Sequence, residues 1–292
     1  MKLLSRHLQA LAKVIETESF ETAAQQLFIS QPAVSQRIKQ LEQQVGQPLL
    51  IRNSPPQPTA LGKRLMHFYR QAALLEAEVF DSEDLNTQTL PIAINADSLS
   101  TWFFPAVADF VKNAHVLLEL RVDDQDQTLR LLQAGEVTGA ISAEQQAPGG
   151  CDSIKLGGMK YHCVCTPAFR DSYFAKGPSK QAFLQAPALH YSPKDQLQSN
   201  YLAKYWKVAP TSYPFHQIPS TESYLDFILR GLAWGIVPEL QCETHLANGT
   251  LIKLDPKRPI TVDLYWHTWT LQPELLKGFS QQLQSYCQKE LR

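Results

Sequence analysis

Ser19-Phe20-Glu21-Thr22-Ala23-Ala24-Gln25-Gln26-Leu27-Phe28-Ile29-Ser30-Gln31-Pro32-Ala33-Val34-Ser35-Gln36-Arg37-Ile38 reads as two short helices separated by a tight turn. Phe20, Ala23, Ala24 and Leu27 recur at helical spacing behind Ser19, a good N-cap. The pattern breaks at Phe28-Ile29-Ser30, where Ser30 is a second cap and Pro32 sits in the first turn of the next helix, which runs to about Val45 and stops at Gly46. On that helix Val34, Ile38, Leu41 and Val45 share one stripe and must face a core. Pro32, Ser35, Gln36, Lys39, Gln40 and Gln43 then point outward. An amide can bridge an adenine edge, a hydroxyl suits several bases, and lysine reaches guanine or phosphate. Any soluble helix has a polar face, but here a short helix, a tight turn and a basic neighbourhood precede it, which is the arrangement that places a helix in a major groove.

Leu4, Leu8, Leu11 and Ile15 add a helix ahead of this pair. Behind it, Pro48-Leu49-Leu50-Ile51-Arg52 is strand-like, and Pro55, Pro56 and Pro58 forbid helix until Thr59 caps the next one, which leaves room for a wing. Residues 1–65 carry eight basic against four acidic side chains, a surplus of +4 in a chain whose net charge is -1, so a basic head sits on a body of -5. From Leu61 the positions Leu61, Leu65, Phe68, Ala72, Leu75 and Val79 follow a heptad seam. Such a seam serves a dimer, or else packing on its own domain. Asp81 to Thr89 is polar and reads as a hinge.

Beyond the hinge, strands alternate with helices. Leu90–Ile94 precedes a helix near Trp102–Val111, Val116–Val122 precedes one near Thr128–Gln133, and Gly139–Ile141 follows. The rhythm returns at Ala188–Tyr191, at Tyr224–Leu229 and at Gly235–Val237, then ends in a strand Thr261–Trp266 and a helix Pro273–Glu290. This predicts parallel sheet with crossover helices, and ligands bind beyond the carboxyl ends of such strands. The candidate edges are Asp97, Ser98 and Ser100 after the first strand, Asp123 and Asp124 after the second, Ser142 after the third, and Ser220, Thr221 and Glu222 ahead of a later helix. Hydroxyls and helix N-termini would hold a carboxylate, and the acidic side chains an ammonium; Asp97 and Ser220 serve equally well as helix caps. His162, Cys163 and Cys165 are metal-ligand types, but both cysteines fall on one strand face and read as core. Trp266, His267 and Trp269 read as packing. No nucleophile or phosphate-binding motif stands in context, and no metal or cofactor is expected, so the reading is binding rather than catalysis. Five cysteines without a CxxC pair suit reduced thiols, and the absence of a signal peptide or an apolar run of membrane length suits a cytoplasmic protein.

Taken together, Phe20–Leu27, Ser30–Ile38, Leu41-Glu42 and Gly46–Arg52 resemble the signature of the LysR-type transcriptional regulators. The resemblance implies an α/β chain of three parts: a winged helix-turn-helix (1–58), a linker helix and hinge (59–87), and an effector-binding domain (88–292). That last part would have two Rossmann-like lobes of periplasmic-binding-protein type, lobe I at about 88–163 and 267–292, lobe II at about 164–266. It implies DNA contacts from Ser30, Gln31, Pro32, Ser35, Gln36, Lys39 and Arg52, with double-stranded operator DNA and a small effector as partners. A homodimer or homotetramer is implied, and RNA polymerase is a further partner it allows. Within the family, Asn95–Trp102, Gly135–Ala140 and Leu264–His267 are similar to the ArgP group of arginine or lysine export regulators, which makes a basic amino acid the expected effector; the other readings are a different effector, or a solute-binding or metabolic enzyme domain.

Overall fold

The computed structural model describes residues 5–79, 88–123, 125–210 and 212–291. Three helices open the chain, α1 (Arg6–Thr17), α2 (Phe20–Gln26) and α3 (Gln31–Val45), followed by the strands β1 (Leu50–Ile51) and β2 (Gln57–Pro58) and the long α4 (Ala60–Val79). The caps are those expected: Ser19 Oγ accepts from Thr22 N–H, Ser30 Oγ accepts from Ala33 N–H, and Gly46 ends α3 with φ 74°. Leu11, Val14, Ala23, Val34, Ile38 and Leu49 are wholly buried and form the core of this small unit. The wing hairpin pairs only Leu50 with Pro58 and Ile51 with Gln57. It is shorter than the expected Pro48–Arg52 strand, because Pro48 has no N–H to give a ladder and the chain bends at 53–55.

The remainder runs β3 (Thr89–Ile94), α5 (Ala96–Ser98), a π-turn at Leu99–Phe103, α6 (Phe104–Ala114), β4 (Leu117–Val122), α7 (Gln125–Gln133), β5 (Gly139–Ser142) and β6 (Cys151–Cys165). Then come α8 (Pro167–Tyr173), α9 (Lys180–Gln185), β7 (Ala188–His190), α10 (Leu197–Trp206), β8 (Phe215–Gln217), α11 (Thr221–Leu229), β9 (Gly235–Pro238), α12 (Glu239–Ala247), β10 (Ile252–Lys253), β11 (Ile260–Trp269) and α13 (Glu274–Glu290). β3 pairs parallel with β4 and β5, and β7 with β8, as the alternating rhythm predicts. The expectation of a purely parallel sheet fails at β6 and β11, which pair antiparallel from Tyr161–Ile260 to Cys151–Trp269, and at β9 and β10, which join β6 antiparallel. β6 and β11 run opposite ways between the two halves, so whatever docks on them in the second half meets a reversed strand. Trp102, Phe103, Trp266 and Phe279 fill the interior of the first half, and Phe183 and Trp234 that of the second.

The heptad seam of α4 is divided between uses. Leu61 and Leu65 pack against the helix-turn-helix core, so these two serve their own domain. Phe68 is 53% exposed, and Ala72 and Leu75 are half-buried. The side chain of Val79 and the hinge at 81–87 lie outside the described residues. A neighbouring face of α4 rests on the first half of the sheet domain: the His67 ring meets Trp269 edge-on at 4.6 Å, Arg70 donates to Gly135 O, and Gln71 donates to Leu271 O at 3.1 Å. Gly135 has φ 67° and lies against His67, an approach that no side chain would permit.

Candidate functional site

A cavity of about 490 Å³ opens where the carboxyl ends of β3 and β4 face those of β7 and the start of α11. Its size suits a small ligand. From the first half come Asn95, Asp97 and Asp123; from the second come Tyr191, Lys194, Asp195, Gln198, Thr221 and Tyr224; Tyr161 and Val262 line it from the crossover strands. Among the described residues, three carboxyl side chains thus face one lysine.

Asp97 follows β3 in the first turn of α5 but caps nothing. Its Oδ2 accepts from Tyr161 Oη at 3.0 Å. Burial pushes its carboxyl up to about 6, against the opposing pull of the Tyr161 hydrogen bond, and Asp195 across the cavity adds to the rise. The same burial, with Asp97 beside it, holds the Tyr161 hydroxyl well above its ordinary value. Asp195 is fixed by two backbone donors, Tyr191 N–H to Oδ2 and Leu197 N–H to Oδ1, both at 3.0 Å. Gln198 is buried, and its amide orientation is set by the network around it. Tyr224 Oη donates to Leu189 O at 2.8 Å, so it must accept from Gln198 Nε2, which also donates to Leu189 O. Gln198 Oε1 is left without a protein partner, as is buried Asn95 Oδ1. The lining therefore offers acceptors and anions, and it calls for a ligand rich in N–H donors.

Of the residues expected at this site, Asp97, Asp123 and Thr221 line the cavity; Asp124 lies outside the described residues. The others do not line it, each for a visible reason. Ser98 is wholly buried, and exposed Ser100 hydrogen-bonds to Asp97 O. Ser142 is buried behind the sheet edge, 3.2 Å from His267 Nε2. Ser220 caps α11 through Ser223 N–H, and Glu222 is exposed on that helix. Tyr161, Tyr191, Asp195 and Gln198 escaped the sequence reading. The available signal was the polar run Tyr191-Ser192-Pro193-Lys194-Asp195 at the end of a recognised strand, the same edge rule that found Asp97. Cys163 and Cys165 are buried free thiols, and burial raises Cys165 to about 12. His162 is buried beside Glu239 Oε1 at 2.7 Å. Among the described residues no group of three His, Cys, Asp or Glu side chains is arranged to hold a metal.

At the other end of the molecule, Ser30, Gln31, Pro32, Gln36 and Lys39 of α3 are exposed and Ser35 is half-buried. Arg52 lies at the wing, tethered to Glu42 of α3 at 3.4 Å, while Glu42 Oε1 also accepts from Leu49 N–H at 2.9 Å. Glu42 thus ties the wing to the helix.

Residues 5–63 match the family described as bacterial regulatory helix-turn-helix protein, lysR family, and residues 83–288 match the LysR substrate binding domain. The chain is similar to the HTH-type transcriptional regulator ArgP of Vibrio parahaemolyticus serotype O3:K6, 41% identical over 97% of both chains, and to that of Pseudomonas fluorescens Pf0-1, 43% identical over 94% of both. Among solved structures it is similar to ArgP from Mycobacterium tuberculosis (TM-score 0.89, 36% identity, 98% of both chains). It is also similar to full-length LysG from Corynebacterium glutamicum with bound effector Arg (TM-score 0.80, 35% identity, 97% of both chains).

Proposed function

Because the chain belongs to the LysR family of transcriptional regulators, which bind DNA through a helix-turn-helix and take a small effector in a second domain, we propose that its cavity senses a basic amino acid, arginine or lysine. The observation that carries this reading is the gathering of Asp97, Asp123 and Asp195 around one cavity with Lys194 as the cation lining it among the described residues. An amino acid brings one carboxylate and at least one ammonium, and a basic one brings a second cation. Lys194 and the start of α11 at Thr221 suit the carboxylate; the three aspartates suit the cations. The acceptors of Asn95 and Gln198 add to the demand for N–H donors. The bound arginine of the similar LysG structure points to the same class.

The first turns of α3, with Gln31, Pro32, Gln36 and Lys39, read the major groove, and Arg52 supports the wing against phosphate. Exposed Phe68, with half-buried Ala72 and Leu75 beside it on α4, forms the contact between two copies, so that paired heads meet paired half-sites. Ligand closure of the cavity shifts how those heads sit, in the cytoplasm where the DNA lies.

Calorimetry of the intact chain with L-arginine, L-lysine, L-citrulline and L-glutamate tests the sensor. Arginine and lysine bind with one site per chain, citrulline binds far more weakly, and glutamate does not bind. Equal affinity for citrulline and arginine would remove the cationic requirement, and binding of glutamate alone would reverse the assignment.

A further inference from the structure

In the turn between α2 and α3 stands a residue that neither the backbone nor the packing accounts for. Ile29 N–H donates to Ala24 O at 3.1 Å and Phe28 N–H to Gln25 O at 3.2 Å, the two bonds of a Schellman ending. Phe28 is the left-handed residue of that ending, with φ 54°. Glycine adopts this conformation freely, whereas a bulky side chain crowds its own carbonyl. Burial of the ring could offset that strain, but Phe28 is 94% exposed, far above Leu271 at 60%, the next of the large apolar side chains turned to solvent among the described residues. The inward role in this turn belongs to its neighbour Ile29, packed on the core that contains Val34. The fold by itself would be served better by glycine or asparagine.

The ring stands two residues before Ser30 and three before Gln31, at the end of α3 that leads into a groove. We propose that Phe28 is a DNA-contact residue, its ring laid against the apolar surface of the duplex, the deoxyribose faces and thymine methyls that border the groove entered by α3. DNA is the occupant because the exposed patch continues directly into exposed Ser30, Gln31 and Pro32, and because the surplus positive charge of the first 65 residues draws this surface to a polyanion. The inference rests on α3 as the reading helix.

The experiment uses the intact chain and a duplex enriched on it from a randomised library, with affinity measured by fluorescence anisotropy across a range of salt. Phe28→Ala and Phe28→Asn weaken binding about tenfold, while Phe28→Tyr stays within about threefold of the parent. The slope of log affinity on log salt is the same for all, since an apolar contact releases no counterion. Phe28→Asn also melts no lower than the parent, because asparagine tolerates the left-handed backbone. Affinity of Phe28→Ala and Phe28→Asn equal to the parent overturns the inference, and so does a loss that sedimentation traces to altered assembly. Gln36→Ala runs alongside: if it weakens binding while the Phe28 variants do not, only Phe28 is wrongly assigned; if it too is silent, α3 itself is.

Discussion

If Asp97 meets the cation of the effector, as proposed, effector affinity depends on pH in a range where an ordinary aspartate would be silent. Its carboxyl, pushed up to about 6 by burial, is neutral in much of the empty protein at mildly acid pH. A cationic ligand binds the ionised form, so affinity is lost as pH falls through that value and is full above it. With a pKa of about 6, the ionised share falls from nearly all at about pH 7.5 to about a tenth at about pH 5, and arginine should bind roughly tenfold more weakly at the lower pH. At about pH 6, roughly half a proton is released per arginine bound, which calorimetry in buffers of different ionisation enthalpy measures directly. Asp97→Asn abolishes this pH dependence and weakens binding at least about a hundredfold, since a buried cation loses its partner. Stability moves the other way. A folded value of about 6 against the ordinary 3.8 means the empty protein loses stability as pH rises between those values. Asp97→Asn removes that cost, of order 3 kcal/mol, and melts higher near neutral pH. Equal arginine affinity at both pH values in the parent, or the same pH slope in Asp97→Asn, would show that the Asp97 carboxylate does not meet the ligand's cation.

Three further outcomes follow from the packing. Leu65→Asp places a charge against the helix-turn-helix core and unfolds that unit, seen as lost helical signal and lost DNA binding, whereas Phe68→Asp leaves the fold intact and shifts only the assembly state in sedimentation. Gly135→Ala strains a left-handed backbone and drives a methyl into His67, so it loosens α4 from the sheet domain and costs on the order of 2 kcal/mol or more by thermal unfolding. In a thiol-labelling assay of the native chain only half-buried Cys151 reacts, and slowly, because burial raises it as well; Cys165 and Cys287, raised to about 12, and Cys242, raised to about 11, react only after unfolding.

The local punctuation was legible in the sequence because its causes are local. Ser19, Ser30 and Gly46 cap helices wherever the chain goes, and strand ends at Ile94 and Val122 place Asp97 and Asp123 at a sheet edge by the pleat alone. What depends on distant partners was not legible. A heptad spacing reports an apolar stripe on α4, but it cannot say that Leu61 and Leu65 are claimed by the helix-turn-helix core while Phe68 is left to solvent. Asp195 stands five residues beyond the end of β7, where the edge rule points less directly than it does to Asp97 three residues beyond β3, and Tyr161 reaches Asp97 across 64 positions of sequence. Serine illustrates the converse error. Ser98, Ser142 and Ser220 had the right chemistry at helix starts or strand ends, but their hydroxyls are buried or spent on caps.

On the proposed function, occupancy of the cavity and engagement of DNA are coupled in one molecule. The direct measurement is the dissociation constant of the intact chain for its enriched duplex with and without saturating L-arginine, paired with the arginine affinity of the free and DNA-bound protein. Arginine is expected to change duplex affinity by a factor in the range of about 5 to 150, and DNA to change arginine affinity by the same factor, as reciprocity demands. Arginine bound in the cavity with duplex affinity unmoved at every salt concentration would contradict it.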